Sequence, residues 1–134
     1  MVEKRIEQKN VKLHWNMLGY HLDKMVQALK KDKFVGVYGV PRGGLPIAVY
    51  ISHHLNIPLL DSPCDECLIV DDILDSGNTV SELIIEYELK DIKIATIHYK
   101  KKSVIAPDFY DVLVQENEWI VYPWEIEKQI SKDE

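Results

Sequence analysis

The sequence predicts a single α/β domain in which a parallel β-sheet is covered by helices. Three observations lead there. Short apolar runs rich in β-branched residues recur at residues 34–40, 67–70 and 92–99. Segments with helical periodicity alternate with them. Each run is apolar on both faces rather than one, as expected of parallel strands buried from both sides. The 134 residues suit one compact domain spanning 1–134.

Taken in order, Leu18, Leu22, Met25, Val26 and Leu29 fall at helical spacing, so residues 16–31 form an amphipathic helix. Residues 34–40 are a buried strand that ends in Pro41-Arg42-Gly43-Gly44. Residues 45–55 are helical, with Pro46 accommodated in the first turn and Asn56 as terminator. A short strand at 58–60 and a polar turn at 61–66 follow. The strand at 67–70 is closed by Asp71-Asp72, and a helix resumes at 80–89. Strands at 92–99 and 111–114 complete the sheet, and the tail carries Trp119, Ile120, Tyr122 and Trp124. No repeat, low-complexity tract or linker interrupts the chain.

Composition excludes several function classes. A formal net charge of -6 argues against a nucleic-acid binder working by phosphate neutralisation. It leaves room for a small phosphorylated ligand, because backbone N–H groups bind phosphate without basic side chains. No apolar run reaches transmembrane length, so no membrane partner is expected. Residues 1–10 lack the apolar core of a signal peptide, and the expected location is the cytoplasm. Cys64 and Cys67 form one C-x-x-C pair, too few ligands for a zinc site, and read as two reduced thiols at a turn.

Ligands of open α/β sheets bind beyond the carboxyl ends of the strands. There, residues 68–79 run Leu-Ile-Val-Asp-Asp-Ile-Leu-Asp-Ser-Gly-Asn-Thr. An apolar strand delivers Asp71 and Asp72 to its end, and a loop of Ser76, Gly77, Asn78 and Thr79 leads into a helix. Unpaired N–H groups at a helix start and the helix dipole favour an anion. Gly77 permits close approach, and Ser76 and Thr79 add hydroxyl donors. The carboxylates repel that anion and suit instead vicinal hydroxyls, or Mg²⁺ bridging a polyphosphate. Either feature alone describes an ordinary strand end or helix cap. Together, within reach of one loop, they describe a ribose 5-phosphate site. Neither a P-loop nor a G-x-G-x-x-G dinucleotide fingerprint occurs.

The same stretch resembles the fingerprint of the type I phosphoribosyltransferases: four apolar residues, two acids, then a Thr/Ser-Gly-x-Thr/Ser loop. Similarity extends over residues 13–18, 35–57 and 96–125, and looks closest to the xanthine-guanine branch of that family. The resemblance implies a core of parallel strands wrapped by helices, with a small hood contributed by the chain ends. It implies that Asp71 and Asp72 hold the ribose hydroxyls, with Asp72 also near Mg²⁺, and that Ser76, Gly77, Asn78 and Thr79 hold the 5-phosphate. Asp75 would face N7 of a purine, and Arg42, Gly43 and Gly44 would receive pyrophosphate. Lys100 would donate to O6 of the purine, favouring a 6-oxopurine over adenine. Trp119 would stack on the base, Ile120 would offer its carbonyl to the 2-position group, and Glu125 replaces the usual aspartate near the metal. The implied partners are phosphoribosyl diphosphate and a purine base or nucleotide, and exposed tail aromatics suit a homodimer or higher homo-oligomer. One departure stands out. The family's long mobile loop before the 67–70 strand is reduced here to residues 61–66. A purine phosphoribosyltransferase and a non-catalytic nucleotide-binding module on the same fold are therefore both expectations.

Overall fold

A computed structural model describes residues 7–126. Its main sheet has four strands, all parallel, in the order β2 (Val37–Gly39), β3 (Leu68–Leu74), β4 (Lys93–Tyr99), β5 (Phe109–Leu113). The helices are α1 (Trp15–Leu29), α2 (Gly44–Leu55) and α3 (Asn78–Glu86). Two further strands, β1 (Lys9–Lys12) and β6 (Glu118–Val121), pair in parallel as a separate small sheet.

The two-faced apolar strands produce two cores. Leu68 and Val70 of β3 join Ala95 and Ile97 of β4 against Leu18, Leu22 and Met25 of α1 and Ile47, Ala48 and Ile51 of α2. Ile69 and Ile94 face the other way, onto Val80, Leu83 and Ile84 of α3. Helices thus cover both faces, as a parallel sheet requires. Asp111 of β5 accepts from His21 and, at 2.6 Å, from Lys24, which fastens α1 to the sheet edge.

Several boundaries differ from the sequence expectation, each for a local reason. The expected strand at 58–60 reduces to a single bridge between Leu59 and Val37. It is an edge beside a three-residue strand, too short a partner to build a ladder. The expected 80–89 helix starts two residues earlier, at Asn78, and stops at Glu86. Glu88 adopts a left-handed conformation (φ 50°), and the Leu89 N–H donates to the Ile84 carbonyl at 3.0 Å, a tight C-terminal wrap. The strand ending in the two acids runs on through them to Leu74. The β1–β6 sheet was not anticipated as strands, because four-residue segments from opposite chain ends carry no periodicity that periodic patterning detects. Among the described residues no helix is long and apolar enough to cross a membrane.

Candidate ribose-phosphate and base site

The site forms where β3 outlasts its neighbour β2. The two strands pair only as far as Gly39 opposite Val70, so Asp71 and Asp72 emerge past the end of β2. Here β3 also loses its regularity. Leu68 and Val70 point into the α1/α2 core, yet it is Ile73, not Leu74, that does so next, while Leu74 faces the α3 side. The register against β4 sets Asp71 opposite Thr96 and Ile73 opposite His98, skipping Asp72. The carboxylates themselves complete the backbone bonding: Asp71 Oδ1 accepts from the Asp72 N–H and Asp72 Oδ1 from the Ile73 N–H, both at 2.8 Å. The Asp72 carbonyl accepts from the Tyr122 hydroxyl at 3.1 Å.

Both acids are half-buried, and among the described residues neither has an ion-pair partner. Burial, reinforced by the charge of Asp72, pushes Asp71 up to about 9. Burial also raises Asp72. A close acid pair without a counter-charge is costly in its ionised form, and a cation or a set of hydroxyl donors relieves that cost.

The loop after the acids leads into a helix start that could take an anion. Gly77 caps α3 at φ 79°, a conformation glycine adopts without strain, and a Cβ there would fall 2.2 Å from Ser103 Oγ. Ser76 Oγ accepts from the Asn78 N–H at 3.2 Å. The Ser76 carbonyl accepts from the Val104 N–H at 2.8 Å, tying this loop to the 101–107 segment. Asn78 and Thr79, expected in a loop, occupy the first turn of α3, where orphan N–H groups and the dipole act on an anion. Asp71, Asp75, Ser76, Gly77 and Thr79 share the wall of a hollow of about 120 Å³.

Arg42, Gly43 and Gly44 connect β2 to α2 on the other side of the acids, and the Pro41–Arg42 peptide is cis. Gly43 caps α2 with no side chain over the helix end. A Cβ on Gly43 would lie 2.0 Å from Asp72 Oδ2, and one on Gly44 2.5 Å from the Val70 carbonyl oxygen. Glycines at 43 and 44 are what let this turn close onto β3.

A second hollow, about 460 Å³, is lined by Asp75, Lys100, Lys102, Glu116, Glu118, Trp119, Gln8 and Asn117. Lys100 is the buried member of the basic run, 4% exposed. Its Nζ donates to the Glu116 carbonyl at 3.1 Å and lies 3.7 Å from Asp75 Oδ1. Lys102, the alternative that a two-residue slip in the same basic run allows, comes closer to Asp75, at 3.2 Å. Spacing of two residues past a strand end was the signal for a shared side. Trp119 presents a half-exposed ring to the hollow from β6. The Ile120 side chain does not line it and packs into the core. The carbonyls of Asn117 and Val121 accept from the N–H groups of Lys9, on β1, and Leu13, just after it, so by alternation the Ile120 carbonyl faces away from β1.

Glu125 lines neither of these two hollows, though it is near enough to Asp72 to feel its charge. Its Oε1 accepts from the Tyr122 N–H at 2.9 Å, and burial together with the Asp72 charge raises its carboxyl. Among the described residues no three His, Cys, Asp or Glu side chains form a metal cage. Behind the acids, the His98 Nδ1 and the Tyr122 hydroxyl are 2.7 Å apart. The phenol has one proton, given to the Asp72 carbonyl, so Nδ1–H of His98 must donate to the phenol oxygen. Burial holds the imidazole down to about 4 and raises the Tyr122 phenol well above its usual range, so both are neutral.

Residues 60–130 match the model of the phosphoribosyl transferase domain. Among solved structures, the purine phosphoribosyltransferase from Pyrococcus horikoshii Ot3 is similar with a TM-score of 0.79 and 30% identity, over 87% of this chain and 95% of that one. The Helicobacter pylori xanthine-guanine-hypoxanthine phosphoribosyltransferase shares the fold, with a TM-score of 0.74 and 18% identity over 93% and 99% of the two chains. The xanthine-guanine phosphoribosyltransferase of Desulfotalea psychrophila is 26% identical over 89% of this chain and 88% of its own length.

Proposed function

The chain belongs to the phosphoribosyl transferase family, and from that premise we propose that it transfers ribose 5-phosphate from phosphoribosyl diphosphate to a 6-oxopurine (guanine, xanthine or hypoxanthine), releasing pyrophosphate. The observation that carries the reading is the convergence of Asp75, buried Lys100 and Trp119 on one hollow, with Asp75 also in the wall of the phosphate cradle. A module that only held ribose phosphate has no need of a base pocket.

In this reading the bond from ribose carbon 1 to pyrophosphate breaks as a bond to a purine nitrogen forms, through a transition state of oxocarbenium character. Ser76, Gly77, Asn78 and Thr79 hold the 5-phosphate, and Asp71 and Asp72 bind the ribose hydroxyls. Arg42 and the N–H groups of Gly43 and Gly44 receive the leaving pyrophosphate. Asp75 faces N7 and takes or shares the base's ring proton. Lys100 donates to O6, Trp119 stacks on the ring, and the Ile120 carbonyl meets the 2-position group. The acid pair lacks a counter-charge and therefore fits Mg²⁺, which neutralises diphosphate charge when bound with the substrate. Asp72 and Glu125 would hold it, Glu125 having one carboxylate oxygen not spent on Tyr122. Reliance on substrate phosphates for the remaining ligands is usual for Mg²⁺ and accords with the missing protein cage.

One observation favours a second reading, a non-catalytic nucleotide-binding module. The 61–66 connection is a short turn pinned at the opposite end of the sheet, where the Glu66 N–H donates to the Lys90 carbonyl and Asp65 accepts from the Lys90 N–H. It does not reach the site, so water exclusion would fall to other segments. Incubation with phosphoribosyl diphosphate, Mg²⁺ and each purine base separates the two. We expect nucleotide and pyrophosphate, with chelation of Mg²⁺ abolishing both. Thermal stabilisation by phosphoribosyl diphosphate without product would sink the transferase reading.

A further inference from the structure

We propose that Tyr122, held by His98, is a positioning residue that fixes the irregular end of β3 and so sets the geometry of Asp71 and Asp72. At Asp72 the strand loses its ladder: Asp72 is skipped in the register with β4, and side-chain alternation slips by one residue before Ile73. The N–H groups of Asp72 and Ile73 are taken by the two carboxylates. The Asp72 carbonyl accepts from the Tyr122 hydroxyl at 3.1 Å, from a side chain only 2% exposed. A backbone carbonyl in such a place needs a donor, and loss of that donor favours a different local twist.

The phenol is itself fixed. Nδ1–H of His98, on β4, donates to its oxygen, and its ring stacks on Trp124 at 5.4 Å. His98 faces His21 at 6.0 Å, with Asp111 beyond it. The relay therefore links the tail after β6 to the strand that carries the acids. Tyr122 and His98 line neither the base hollow nor the phosphate cradle. The phenol and the imidazole reach the site through the backbone of Asp72, whereas Glu125 is held by the Tyr122 main chain, which Tyr122→Phe leaves in place.

The ligand arm of the test rests on the ribose-phosphate reading; the backbone arm does not. In Tyr122→Phe, which keeps the ring, amide hydrogen exchange at Asp72 and Ile73 should accelerate about tenfold, with the amides of Leu68, Ile69 and Val70 unchanged. The Kd for phosphoribosyl diphosphate with Mg²⁺ should rise about tenfold, while KM for the purine base stays within about twofold. Unchanged exchange at Asp72 and Ile73 overturns the proposal whatever binds. Faster exchange with undiminished affinity overturns the positioning role, as does an equal rise in Kd and base KM, the sign of general loosening. If the wild-type protein binds no phosphoribosyl diphosphate, the proposed function fails, and the exchange result alone decides the role of Tyr122. Should Tyr122→Phe not fold, His98→Leu, which leaves the phenol without its donor, should give the same pattern at about threefold.

Discussion

Asp75 stands between two lysines, 3.7 Å from Lys100 and 3.2 Å from Lys102, at the boundary of the base and phosphate hollows. Replacing it by asparagine keeps the shape and removes the proton acceptor. Asp75→Asn should lower kcat by about 10²-fold or more while the Kd for phosphoribosyl diphosphate holds, as measured by steady-state kinetics beside calorimetry. Asp71 tests a different balance. Its folded-state value of about 9 exceeds the ordinary 3.8, so between those limits the folded chain binds more protons than the unfolded chain. Its contribution to stability is thus present below pH 3.8 and is lost as pH rises towards 9. Asp71→Asn should melt higher than wild type at pH 8, gain progressively less as pH falls, and bind phosphoribosyl diphosphate far more weakly. Thermal melts across pH check the first part. A site that holds unpaired charge for a ligand is destabilised without it.

The helix starts are the elements that bring the proposed anion-binding groups to the acids. α2 begins against Asp72, with Gly43 in a space that has no room for a methyl group. Gly43→Ala should therefore raise KM for phosphoribosyl diphosphate at least about tenfold and lower the melting temperature. Gly19, inside α1 with open space where a Cβ would stand, is the matching control. Gly19→Ala should leave kinetics unchanged and stabilise the protein by about 0.5–1 kcal/mol in denaturant titration. Much of this was legible in the chain. The 68–79 stretch announced a strand, two acids and a helix start from type and order alone, and all three are there. Within that stretch, misplacement was confined to boundaries: the α3 start at Asn78 depends on the αL turn of Gly77, and helix patterning reads only the apolar face that begins at Val80.

For the whole molecule, the decisive feature is that the first and last described strands meet. β1 and β6 pair through bonds such as Lys9 N–H to the Asn117 carbonyl, and this small sheet sets Gln8, Glu118 and Trp119 around the base hollow. Lys9→Pro, which removes that donor, should raise KM for the base and spare the Kd for phosphoribosyl diphosphate. A parallel rise in both would show that the small sheet braces the whole site instead. Stability should also report the buried polar network that joins α1, β4, β5 and the tail. His98, held at about 4 against an ordinary 6.5, stays neutral in the fold, and the unfolded chain binds the extra proton between those values. Its contribution is present above pH 6.5 and is lost as pH falls towards 4. His98→Gln should flatten that acid limb of the stability profile relative to wild type.

The sequence by itself determined the parallel α/β class, the family fingerprint at 68–79 and the residue types of the proposed phosphate cradle. These are local: each depends on the order of neighbours along one strand, one turn and one helix start. The tertiary structure decided which lysines meet Asp75, where the Ile120 carbonyl faces and how Gly43 closes on Asp72. It alone revealed Tyr122 and His98 beneath the acids. Those facts depend on segments some tens of residues apart in the chain, brought together by the pairing of β1 with β6 and by burial on both sheet faces. No periodicity or spacing encodes such contacts, because they exist only once the strands are side by side.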